Sequence, residues 1–337
     1  MIRVVDMHCD TISVLSQRQR QGEEVSILEN DLKISLAKME KGGYGLQNFA
    51  MFVHLKKTDT PFLECMQQAD TFFQLLRAYP EKIGIVRNWK EIEENWEMKR
   101  MSALLTAEEG GICQGEPAFL RILYELGVRM MTLTWNHPNE LGFPNGTMHA
   151  AEEDNGLPGE KGRVLTRYGL TEKGIAFLEE MERLGMIVDI SHLNDDGIDD
   201  VFCYTKKPLV ASHSNCRAIA PHLRNLTDEH IKMLADRGGV AGLNYYVEFL
   251  AQGRTGGERV SGIEDILRHL RHMKKIGGID VIGLGSDFDG FDNSVEFQDA
   301  SGMQFLVQAM ERDGFTTGEI EKVFYGNVLR VYREILS

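Results

Sequence analysis

The sequence predicts an α/β protein folded as a (β/α)8 (TIM) barrel, and three observations carry that prediction. Short runs rich in Val, Ile, Leu, Met and Ala alternate with longer stretches of helical periodicity, the pattern of repeated βα units. Eight such runs can be placed, near residues 4–10, 46–53, 103–108, 129–135, 186–191, 209–212, 240–244 and 281–287. They are almost continuously apolar rather than alternating, as strands are when both faces of a parallel sheet are covered. The chain has 337 residues, about 80 more than the roughly 250 of a typical barrel. A doubly wound open sheet is the competing fold, but Gly283-Leu-Gly285 lacks the remaining glycine of a dinucleotide loop and no Gly-Lys-Ser/Thr occurs. Residues 1–337 are read as one barrel domain.

The elements follow in order, and their ends carry the chemistry, because barrel active sites form at the C-terminal ends of the strands. The first run ends in His8-Cys9-Asp10. Residues i and i+2 of a strand point the same way, so His8 and Asp10 can converge on one cation while Cys9 turns to packing. The third ends in Glu108-Glu109-Gly110-Gly111, and the fourth leads through Leu133-Thr134 to Trp135. Residues 136–170 form a Gly- and Pro-punctuated stretch, long for a compact domain and therefore a candidate active-site loop. Thr171 then caps a helix that has Glu172 in its first turn and stops at Gly185, and Thr227 caps another. The fifth, sixth and eighth runs end in Asp189-Ile-Ser191-His192, Ser212-His213-Ser214 and Ser286-Asp287-Phe288-Asp289. The amphipathic run 320–336 is read as packing.

Each of these residues has a plainer reading. A lone histidine at a strand end is usually a hydrogen-bonded structural residue; Glu108 and Glu109 could open a solvated loop; Asp287 or Asp289 could cap a turn. The coincidence at several strand ends favours a metal site. Neutral imidazoles combined with carboxylates suit zinc or a similar divalent ion.

Composition narrows the function classes. Asp and Glu number 51 against 37 Lys and Arg, a net charge of −14 that opposes nucleic-acid binding. No apolar stretch approaches the roughly 18 residues a membrane span needs. The N-terminus enters a strand with no signal-peptide pattern, so a cytoplasmic protein is expected. Five scattered cysteines without a Cys-x-x-Cys pair suggest neither a disulfide framework nor a zinc-thiolate site.

Together, Asp6-Met-His-Cys-Asp10, Glu109-Gly-Gly111, Tyr124–Arg129 before Leu133-Thr134, Leu184–His192, Ser212-His-Ser214, Arg224-Asn225 and Gly285–Gly290 resemble the membrane (renal) dipeptidase family of the amidohydrolase superfamily, in its soluble bacterial form. The resemblance spans nearly the whole chain. It implies a barrel with two divalent metal ions, zinc above all, and a dipeptide substrate. His8 and Asp10 would hold one ion and His192 and His213 the other, with Glu109 bridging them and Glu108 left as its neighbour. Asp287 would be the acid/base carboxylate, and Arg224 would bind the substrate's C-terminal carboxylate through its guanidinium fork. Family members often accept a D-configured C-terminal residue. The chain departs from the family at Trp135, where a histidine contacts the substrate carbonyl; indole donates one hydrogen bond and cannot take up a proton or charge as imidazole can. Either His137 supplies the missing group or the metals suffice. Hydrolysis of a lactone, cyclic amide or N-acyl amino acid on the same metals is the alternative, and a non-catalytic barrel is disfavoured because every proposed ligand is present. Whether the barrel forms a homodimer is left open.

Overall fold

The computed structural model describes residues 1–145, 169–251 and 259–337. Its strands are β1 (Val4–Asp6), β2 (Tyr44–Phe52), β3 (Ile83–Val86), β4 (Met101–Glu108), β5 (Val128–Thr132), β6 (Ile187–Asp189), β7 (Val210–Ala211), β8 (Val240–Leu243), β9 (Val260–Ser261), β10 (Ile282–Leu284) and β11 (Ser294–Val295). The sheet order β2-β1-β10-β8-β7-β6-β5-β4 is closed by pairing of β2 with β4. The ring is therefore an eight-stranded parallel barrel, and its strands are the eight apolar runs of the sequence.

A ninth strand was not legible. β3, Ile-Gly-Ile-Val, pairs with the first half of β4, from Ile83 opposite Met101 to Val86 opposite Leu104. β5 takes over the same edge from Leu105 onward. Four residues interrupted by a glycine give too short a run to register as a strand. β9 and β11 form a separate two-stranded parallel sheet.

Two hydrophobic layers hold the barrel. Val5, Leu46, Leu104, Met130, Ile187, Val210 and Val240 fill its interior, and Val328, Val331 and Tyr332 of the helix Asn327–Ile335 complete that cluster. The Tyr332 hydroxyl accepts a hydrogen bond from Asn48 Nδ2 at 2.7 Å, which pins the helix to β2. Between the strands and the surrounding helices lie Phe49, Phe72, Phe177, Leu178 and Ile231, each worth roughly 1.5–3 kcal/mol when fully buried. The predicted caps are present. Thr171 accepts from Gly174 N at the start of the helix Glu172–Leu184, which ends at Gly185 with φ 76°, and Thr227 accepts from His230 N before Asp228–Asp236.

The strands end earlier than the apolar runs suggest, because the chain turns sharply where the polar residues begin. Glu109, His192, Asp287 and Asp289 have φ of 109°, 71°, 59° and 70°. Such angles are uncommon for non-glycine residues and cluster at functional sites. Of the candidate loop 136–170, residues 146–168 lie outside the described residues. Among the described residues, no helix is long and apolar enough to cross a membrane.

Candidate metal centre

Four of the ring's strands deliver imidazoles and carboxylates to one place at their C-terminal ends. His8 follows β1, Glu108 ends β4, His192 follows β6 and His213 follows β7. Nε2 of His8 lies 3.4 Å from Glu108 Oε2, 3.4 Å from Asp10 Oδ2 and 3.8 Å from Asp287 Oδ1. On the other side of Glu108, Oε1 is 3.0 Å from His192 Nε2 and 3.5 Å from His213 Nε2. The two carboxylate oxygens thus face two separate nitrogen groups.

This corrects one sequence expectation. Glu109, expected to bridge, is not in the cluster; Glu108 occupies that position. The φ of 109° at Glu109 turns its side chain out of the barrel. There Oε1 accepts from Gly111 N at 2.8 Å and from Asn139 Nδ2, and Oε2 accepts from Trp135 N at 3.1 Å. Strand parity explains the choice: Leu104 packs inside the barrel, so Thr106 and Glu108 continue on that face. Cys9 also lies apart from the cluster, its Sγ 3.3 Å from Asn48 O.

The residues fit divalent cations. His8 Nε2 and Asp10 Oδ1 are buried with no hydrogen-bond partner. The Nε2 atoms of His192 and His213 are 3.0 Å apart, and two nitrogens on one zinc ion sit about 3.0–3.4 Å apart given Zn–N bonds of about 2.0–2.1 Å. Nδ1 of His192 lies 2.9 Å from Asn136 Oδ1. An amide oxygen only accepts, so Nδ1 carries the proton and Nε2 keeps its lone pair for the cluster. A Cβ at Gly290 would press on both the Asp10 and the Asp287 carboxylates, so the chain passes there only as glycine.

Electrostatics point the same way. Burial, reinforced by the Arg224 charge, lowers the His192 pKa to about 4, and burial with His8 and Arg224 holds His213 well below the usual value. Both rings are neutral at pH 7, as ligands must be. Burial opposes ionisation of Glu108, but the charge on His8 outweighs it and holds the carboxyl well below its ordinary range. Burial likewise opposes charge on His8, yet Glu108 and Asp10 keep its pKa well above normal. A proton on His8 balances these acids in the protein alone, and a cation would replace it. Asp287 is pushed up to about 7 by burial, against the pull of His8 and with the Asp10 and Glu108 carboxylates adding to the rise. Its Oδ2 accepts from Asn244 Nδ2 at 2.8 Å.

A cavity of about 740 Å³ opens onto Asp10, Glu108, His192 and Asp287, a size suited to a small-molecule ligand. Phe52, His54, Trp135, Tyr246 and Phe249 form its aromatic wall. Trp135 lines it, with Phe52 at 4.8 Å and His54 at 5.0 Å between ring centroids. His137 lies 5.2 Å from His54 between ring centroids, tilted by 47°, and does not line the cavity. The sequence reading missed His54, which follows the end of β2, because no local pattern marks it. Arg224 is buried beside Phe249, its guanidinium 5.6 Å from that ring's centroid. Nη1 donates to Ser214 Oγ at 2.8 Å and Nη2 to His213 O at 3.2 Å, while Nε has no hydrogen-bond partner. Burial lowers its pKa to about 10, so it stays cationic at neutral pH.

Comparison with known proteins gives a consistent set of matches. The family described as membrane dipeptidase (peptidase family M19) matches residues 1–337. An uncharacterized dipeptidase of Schizosaccharomyces pombe is 31% identical over 98% of this chain and 80% of its own length. Among solved structures, a metallopeptidase called dipeptidase AC superposes with a TM-score of 0.86 at 28% identity, covering 99% of both chains. A metallopeptidase from Rhodobacter sphaeroides, solved with a phosphinate mimic of the dipeptide L-Ala-D-Ala, has the same TM-score and coverage at 26% identity.

Proposed function

The chain belongs to the membrane dipeptidase family, and on that premise we propose that it hydrolyses dipeptides bearing a free C-terminal carboxylate, L,D-dipeptides among them, with two divalent metal ions, zinc in the first instance. The observation that carries this reading is the position of Glu108, whose Oε2 faces His8 while Oε1 faces His192 and His213. His8 and Asp10 would hold one ion, His192 and His213 the other, and Glu108 would touch both. When bound, such a pair of ions activates a water molecule and polarises the scissile carbonyl.

The chain's own residues do the rest. Asp287, oriented by Asn244, accepts the water's proton and returns it to the leaving amine nitrogen. Arg224, with an unpaired Nε, receives the substrate's carboxylate. Trp135 and His54 supply a ring surface for the substrate in place of the family's histidine. The ligand of the Rhodobacter sphaeroides peptidase supports including L-Ala-D-Ala among the substrates.

The test is metal analysis of the purified protein, followed by hydrolysis of L-Ala-L-Ala, L-Ala-D-Ala, N-acetyl-alanine and a lactone with and without chelator. About two ions per chain and chelator-sensitive cleavage of dipeptides are expected. Turnover of the lactone or the N-acyl amino acid alone would replace the dipeptidase reading by the alternative hydrolase. Chelation should also lower Tm by roughly 5 to 10 °C, because ions at a thousand times their Kd contribute about 4 kcal/mol. Calorimetry with and without added zinc measures it.

Arg224→Ala should raise KM for dipeptides about 10- to 100-fold and change kcat little, as loss of a uniform charged contact does. Steady-state kinetics on L-Ala-D-Ala reads the split. An unaltered KM would remove Arg224 from substrate binding.

A further inference from the structure

Beneath the cluster, one buried carboxylate is linked to His213 through a serine without touching it. Asp189, the last residue of β6, uses both oxygens fully. Oδ1 accepts from Ser191 N at 3.0 Å and Ser212 N at 2.8 Å, and Oδ2 accepts from Thr132 Oγ1 at 2.6 Å and Ser212 Oγ at 2.5 Å. These four bonds fill the acceptor sites of a carboxylate. Ser212 Oγ lies in turn 2.7 Å from Nδ1 of His213. A hydroxyl has one proton, and here it is committed to Asp189; toward His213 it presents a lone pair. The imidazole must therefore donate from Nδ1, which leaves Nε2 bare beside the bare Nε2 of His192 at 3.0 Å and directed at Glu108, a group of acceptors that a cation would satisfy. The opposite arrangement would set two acceptors against each other at 2.5 Å.

We propose that Asp189 and Ser212 form a positioning relay that dictates the tautomer of His213, presenting Nε2 as the ligating nitrogen before any metal arrives. The proposal rests on the reading of His213 as a metal ligand. It assigns to Asp189 and Ser212 a role in metal affinity, since groups that fix the tautomer of a ligating histidine typically account for 10- to 100-fold.

The barrel contains its own control. Asp6 makes the same clamp with Ser286: Oδ1 accepts from Ser286 N at 2.8 Å and His8 N at 3.3 Å, and Oδ2 accepts from Ser286 Oγ at 2.6 Å. In that copy the serine oxygen accepts from the backbone N–H of Phe288 at 3.2 Å, and no imidazole among the described residues is attached. If clamping strands were the whole purpose, loss of either serine would have the same kind of consequence.

The experiment reads the ring nitrogens of His213 in the metal-free, 15N-histidine-labelled full chain by long-range proton–nitrogen NMR, assigned by difference with His213→Gln, and zinc affinity by competition with a chromogenic chelator. In the wild type Nδ1 is expected to carry the proton. Ser212→Ala and Asp189→Asn should shift the proton toward Nε2 and weaken zinc binding about 10- to 100-fold, and Ser212→Thr, which keeps the hydroxyl, should restore both. Ser286→Ala should lower Tm and leave the tautomer of His213 unchanged. A wild-type ring protonated at Nε2 overturns the relay without recourse to any variant, including one that fails to fold. So does a Ser212→Ala protein that keeps the Nδ1 proton and wild-type zinc affinity. A wild type that binds no zinc overturns the metal-ligand reading instead, and the tautomer measurement still decides the relay.

Discussion

Glu108→Gln should strip the protein of at least one metal ion per chain and lower kcat/KM by about a thousandfold or more, whereas Glu109→Gln should keep its metal and lose stability. The contrast follows from what each carboxylate faces. Glu108 stands between His8 and the His192–His213 pair with one oxygen toward each. An amide there offers one neutral oxygen and turns an N–H toward the other group, so it cannot serve both ions or supply the negative charge they need. Glu109 instead accepts from Gly111 N, Trp135 N and Asn139 Nδ2. A glutamine amide would set an N–H against one of those donors, at a cost of about 1–3 kcal/mol for a buried mismatch. Elemental analysis, hydrolysis rates and thermal melts on the two variants separate these effects. Metal loss in Glu109→Gln with retention in Glu108→Gln would reverse the assignment.

That pair also marks the limit of what the sequence disclosed. The ring of eight strands was legible because each is a compact apolar run followed at once by polar residues. The same apolarity hid the choice between Glu108 and Glu109. Ala103, Leu105 and Ala107 pack outward while Leu104 packs inward, so residues on both faces of β4 are hydrophobic and nothing in the composition shows which parity points into the barrel. The Glu-Gly-Gly string then favoured Glu109, and only the turn at φ 109° sends it elsewhere. The histidines were easier because they stand alone at strand ends. The residues that support the histidines and Asp287 were not: Asn136, Asn244 and Ser212 are ordinary polar residues whose meaning lies in partners 56, 43 and 23 positions away. Hydrogen bonds of that range leave no periodic trace in a chain, and His54, brought to Trp135 from a different strand, is hidden for the same reason.

Asp287→Asn should reduce kcat by about 100- to 10,000-fold while leaving metal content and KM near wild type, the signature of a lost proton-transfer group. The substitution is unusually clean at this position. Asp287 has φ 59°, a left-handed conformation in which asparagine is among the best tolerated residues, so the backbone need not move. An asparagine oxygen can still accept from Asn244 Nδ2 as the carboxylate Oδ2 does. What disappears is the ability to take up and release a proton. In the protein alone that ability is tuned toward neutrality, with the carboxyl pushed up to about 7 chiefly by burial, where exchange with water and a departing amine is most even. Asp287→Ala would confound this result by opening space beside Asp10 and Gly290 and by forcing alanine into a left-handed turn. Steady-state kinetics with L-Ala-D-Ala and metal analysis on the asparagine variant therefore isolate the proton from the scaffold. Retention of more than a few per cent of wild-type turnover would assign the proton to another group, and loss of metal would make Asp287 a ligand rather than an acid and base.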